Sequence, residues 1–69
     1  QKNEVLLVNY LNFFEFVSVL VKNSHVTKEE VTDLFEYYLV AIRRNTFIMQ
    51  YISQFGFKNL YKLLNEFDK

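Results

Sequence analysis

The residues of this chain best suited to hold a ligand are two adjacent arginines, Arg43 and Arg44, the only arginines it has. A guanidinium presents a planar fork of donors that matches a phosphate or carboxylate. From Tyr37 to Asn65 there is no acidic residue, while Arg43, Arg44, Lys58 and Lys62 supply four positive charges. Helix dipoles offer one account, since acids favour a helix start and bases a later turn. A local anion site is the other. On a continuous helix Arg44 shares a face with Tyr37, Val40, Phe47, Ile48 and Tyr51, at offsets of three, four and seven. Arg43 points about 100° around, with Leu39, Phe47 and Gln50. A charge emerging from an aromatic surface is costly without a partner. That partner is either a carboxylate (Glu4, Glu15, Glu36 or Glu66), an aromatic ring, or a phosphate- or base-bearing ligand that tyrosines can stack on. Asn45 falls between Ile42 and Met49 on an apolar stripe, where it can fix an oligomer's register, bond a ligand on an oligomer axis, or bond backbone or water. The candidate ligand-binding set is therefore Arg43, Arg44 and Asn45, with Tyr51, Lys58 and Lys62 as further contacts.

Other chemistry finds little support. There is no Cys, and the single His25 reads as a solvated loop residue, which makes a poor transition-metal site. Glu29, Glu30, Asp33 and Glu36 form an acidic block without the glycine-bearing loop of a calcium site. One glycine in all excludes a glycine-rich phosphate loop. Paired carboxylates would need a cleft that so short a chain does not build alone. These features predict no catalytic residue, no metal, no cofactor and no enzymatic activity. A formal net charge of zero supplies no global field to draw in duplex DNA or an anionic membrane.

The elements that must position these residues are helices. Leu6, Leu7, Tyr10, Phe13, Phe14, Val17, Leu20 and Val21 recur at spacings of three and four and predict a first helix over 3–22. Asn9, Asn12, Glu15 and Ser18 interrupt its apolar run, which argues against a transmembrane span. Asn23 suits the left-handed conformation that ends helices. Thr27 to Glu30 fits a capping box, with Val26 able to staple onto Val31. A second helix is predicted over 28–54, continuous and roughly 40 Å long, with Val31, Leu34, Phe35, Tyr38, Ala41, Ile42, Asn45, Met49 and Ile52 inward. Propensity is lowest at Arg44-Asn45-Thr46, the alternative site of a bend. Gly56 ends that helix, and residues 58–68 make a third, with Leu60, Tyr61, Leu63, Leu64 and Phe67 as its apolar face. The expectation is one all-α domain over 1–69, a long antiparallel helical hairpin plus a short C-terminal helix. Eight Phe and five Tyr are more than so small a domain hides easily, so a homo-oligomer is expected. The start at Gln1 suggests a fragment of a longer protein.

The runs NYLNFFEFVSVLVKN, VTKEEVTDLFEYYLVAIRR and FGFKNLYKLL resemble a bacterial and phage helical family of uncharacterised function. The resemblance covers most of the chain, and its motif is mainly Asn12, Phe13, Phe14 and Glu15 within the apolar spacing. It implies a membrane helix preceding a small cytosolic part, on the inner face of a bacterial inner membrane. In size, excess apolar surface and a basic-aromatic patch the chain is also similar to the cytosolic domains of CRISPR-associated membrane receptors for cyclic tetra-adenylate. That second resemblance implies a non-enzymatic, homo-oligomeric sensor in antiviral defence. It would bind a cyclic oligoadenylate through Arg43, Arg44 and their neighbours and signal to a membrane segment. The alternative is a purely structural oligomerisation or protein-interaction module, with the arginines in intersubunit ion pairs.

Overall fold

The computed structural model describes residues 2–67, and it is all-helical. Helix α1, Lys2–Lys22, carries the long apolar run. By length and mean hydropathy, 1.6 over Asn3–Lys22, it meets the requirement for crossing a membrane. The core helix of a small protein meets the same requirement. The chain leaves α1 through backbone bonds that tie Asn23, Ser24 and His25 back to Val19, Val21 and Leu20. The left-handed residue there is Ser24, with φ 63°, rather than the neighbouring Asn23. Helix α2, Lys28–Arg44, opens on the expected capping box: Thr27 Oγ1 accepts from the Glu30 amide at 3.0 Å, and Glu30 Oε1 accepts from the Thr27 amide at 2.8 Å.

The single long second helix is not formed. Asn45 takes an extended conformation (φ −94°, ψ 104°), ends α2, and begins a separate helix α3, Thr46–Gln54. Its amide donates to the Ile42 carbonyl at 3.1 Å, and its side-chain Oδ1 accepts from the Ile48 amide at 3.0 Å. One residue thus satisfies orphan groups of two helix ends, which a straight helix would not need. Asn45 is therefore not a polar residue on an inner stripe. A second irregularity lies inside α2, where Phe35 (φ −129°, ψ 16°) departs from helical geometry. Gly56, with φ 91°, supplies the left-handed turn after α3. Helix α4, Lys58–Asn65, closes the chain; the expected limit at residue 68 lies outside the described residues.

The expected inward face is kept in part, with Val31, Ile42 and Ile52 buried and Phe35 and Met49 packed against the core. Leu39 of α2 is buried with them, whereas Leu34, Tyr38 and Ala41 face outward. In α1 the buried stripe is Leu11, Phe14, Val17 and Ser18, rotated away from the expected Leu6, Tyr10 and Phe13. Ser18 can sit there because its hydroxyl donates to the Phe14 carbonyl at 2.7 Å within the same helix. The hub of the core is α4, whose Leu60, Leu63 and Leu64 are buried, while Tyr61 stays outside. Its backbone is closely approached by both α1 and α3. The contact of α1 with α2 is made by rings: Phe14 meets Phe35 edge-on at 5.4 Å and Tyr38 at 6.4 Å, and Phe13 meets Phe35 at 5.6 Å.

Candidate binding surface around the arginine pair

The two arginines have different surroundings. Arg43 is half-buried, and its Nε donates to the Leu64 carbonyl at 2.7 Å. Leu64 lies in the last turn of α4, where the dipole favours a cation, and its carbonyl also accepts from the Phe67 amide at 3.2 Å. Arg43 is thus a C-terminal cap supplied to α4 from another helix. The N-terminus of α4 is treated the same way with opposite charge. Phe57 precedes the helix and offers no capping side chain. Glu15 of α1 reaches across instead: its Oε1 accepts from the Leu60 amide and its Oε2 from the Asn59 side chain, both at 2.8 Å. Charge-assisted bonds at a helix start are among the stronger ones. Both ends of this eight-residue helix are therefore held by charges from its neighbours. A third tie, Lys28 Nζ to Glu66 Oε1 at 3.0 Å, is exposed and contributes little.

Two of the four carboxylates considered as partners for the arginines are thereby placed elsewhere, Glu15 on the α4 N-terminus and Glu66 on Lys28. Arg44 is exposed, and among the described residues it makes no hydrogen bond or ion pair. The extended residue Asn45 also breaks the helical register beyond it. The expected shared face of Arg44 with Phe47, Ile48 and Tyr51, and of Arg43 with Phe47 and Gln50, therefore does not follow from helical offsets.

The remaining predicted site residues do not converge. Asn45 is engaged as a double cap. Tyr51 stacks on Phe55 at 4.6 Å and lines a groove with Asn3, Glu4, Leu7 and Phe47. Lys62 lines a different groove between α1 and α4, beside Ser18, Lys22 and Glu66. Arg43 borders a third, with Met49, Gln50 and Tyr61. Lys58 is exposed in the first turn of α4. The expected six-residue site is thus dispersed over separate faces.

What the structure does bring together was not foreseen as a site. On α2, Glu30, Asp33, Leu34, Tyr37, Tyr38, Ala41 and Arg44 recur at spacings of three and four, and every one is exposed. Leu34 is 73% exposed and Tyr37 79%. Tyr10 of α1, 37% exposed, borders this stripe: partial desolvation first, and then the neighbouring Tyr38 and Tyr37, push its phenol above its usual range. Periodicity alone splits these residues, with Leu34, Tyr38 and Ala41 on the inner stripe, Tyr37 and Arg44 on a second face, and Glu30 and Asp33 in the acidic block. Among the described residues no cluster of metal-binding side chains occurs. Comparison with protein-family models, with curated proteins and with solved structures finds no match.

Proposed function

We propose that this chain is a non-enzymatic helical module that works by associating with further copies of itself. The observation that carries this reading is the apolar surface. Among the described residues eleven large apolar side chains are exposed, as many as form the buried core. The accessible surface is 5033 Å², against about 4,600 Å² for a compact monomer of this mass. Of these, Leu34, Tyr37 and Tyr38 gather with Ala41 on one exposed face of α2, and a contiguous apolar patch of this kind marks an interaction surface. Sedimentation equilibrium over a range of concentrations tests it directly: reversible self-association at micromolar concentration is expected, and a strict monomer at high micromolar concentration opposes it.

A second reading rests on Arg44, which has no partner among the described residues, within the acid-free stretch 37–65. There the assembly is a sensor for an anionic nucleotide of the cyclic oligoadenylate type, on the cytosolic side of a bacterial membrane and coupled to a membrane segment. The ligand would bias the assembly by binding one subunit arrangement better than another. Calorimetric titration with cyclic tetra-adenylate separates the readings: under the sensor reading Arg44→Ala abolishes binding, and under the first reading the wild-type chain takes up no nucleotide.

A further inference from the structure

We infer that the exposed stripe of α2 is a two-fold interface in which two copies of this helix run antiparallel. The inference rests on the self-association reading and names its surface and register. The stripe is polarised. Glu30 and Asp33 lie at its start, Arg44 at its end, and Leu34, Tyr37, Tyr38 and Ala41 between them, all exposed. Tyr37 stands seven residues after Glu30 and seven before Arg44.

A two-fold axis passing at Tyr37–Tyr38 therefore places Arg44 of one copy opposite the Glu30–Asp33 turn of the other, on both sides of the axis. It brings Tyr37 against its own symmetry mate and Ala41 against the Asp33–Leu34 turn. Parallel pairing would instead set acid against acid and guanidinium against guanidinium. Isologous contacts demand this self-complementarity, and antiparallel helices also oppose their dipoles favourably. The kink at Phe35 bends α2 within the stripe without withdrawing any of these residues from solvent. Tyr10 of α1 lies beside the tyrosines and widens the apolar centre, Phe13 meets Phe35 edge-on, and Ala41 lets the backbones approach. The arrangement gives Arg44 the carboxylate it lacks among the described residues, and its aromatic centre with charges at the rim matches the usual anatomy of an interface.

The test uses the whole chain in sedimentation equilibrium, with circular dichroism to show that each variant is folded. Arg44→Glu and Asp33→Lys each place like charges at both symmetry-related contacts, and each weakens self-association about tenfold or more. Tyr37→Ala weakens it as well. An equimolar mixture of Arg44→Glu and Asp33→Lys restores one new and one original pair, and associates within about threefold of wild type. A wild-type chain that stays monomeric overturns the self-association reading and this interface with it. A wild type that associates while Arg44→Glu and Tyr37→Ala associate equally well leaves self-association standing and overturns this surface. Two weakened variants that do not recover when mixed overturn the antiparallel pairing.

Discussion

Arg43 and Arg44 are adjacent and chemically identical, and one helical step of about 100° gives them opposite roles. Arg43 turns inward and closes the last turn of α4 through the Leu64 carbonyl, so its guanidinium is part of the scaffold. Arg44 turns outward, has no partner among the described residues, and completes a polarised stripe on α2. An arginine pair in a sequence is therefore no unit of function by itself. Its side chains must be assigned one at a time, according to which backbone groups the fold leaves unpaired nearby. The same contrast separates two of the acidic residues: Glu15 works inward on the α4 N-terminus, while Asp33 stays at the surface.

Substitutions on the scaffold side have the largest expected effects. Glu15→Ala removes two bonds to the start of α4 and leaves the Leu60 amide without that acceptor. It is expected to cost about 2–3 kcal/mol in urea unfolding, a large share of the stability of so small a domain. Arg43→Ala removes the cap on the Leu64 carbonyl and the packing of its own stem, at about 1–2 kcal/mol. If either variant is as stable as wild type, the two-ended clamp on α4 is not what holds that helix. Gly56→Ala is expected to cost about 1 kcal/mol through its left-handed backbone. A Cβ there meets nothing within 4 Å, so any larger loss would point to a different cause.

A smaller effect concerns pH. The Tyr10 phenol is raised above its unfolded value, so the folded state holds its proton more tightly than the unfolded chain does. The stability this gives is fully present below the ordinary tyrosine range and is lost as pH rises through the folded value, above about 10. Tyr10→Phe should flatten the alkaline side of the stability profile and leave neutral pH unchanged. Arg44→Ala comes last: below the association range its unfolding should lie within about 0.5 kcal/mol of wild type.

The all-helical class was legible because apolar residues recur at helical spacing throughout, and the α2 start because Thr27 and Glu30 form a capping box in the structure as in the sequence. The break at Asn45 was legible only in part. Two basic residues closing one turn and an Asn three residues before Ile48 are the marks of one helix ending and another beginning. The apolar stripe running across them suggested continuity instead. Residue type alone puts Ser18 on the polar side of α1, yet a hydroxyl that bonds its own helix can be buried. The role of Glu15 had only an indirect signal: Gly56-Phe57-Lys58 opens a helix with no capping side chain, so a donor-satisfying group had to come from elsewhere. Which helix would send it depends on tertiary packing, and local spacing carries no information about that. The outward stripe was missed for the same reason, since Leu34 and Tyr38 fit an inner face until the kink and the break reset which face is inward.

The division between the arginines is tested most directly by carrying Arg43→Ala and Arg44→Ala side by side through two readouts, urea unfolding below the association range and the self-association constant above it. Arg43→Ala should lose stability while its folded fraction associates as wild type does. Arg44→Ala should keep its stability and associate severalfold more weakly. If the two variants behave alike in both readouts, or if the losses are exchanged between them, the division of roles between Arg43 and Arg44 is contradicted.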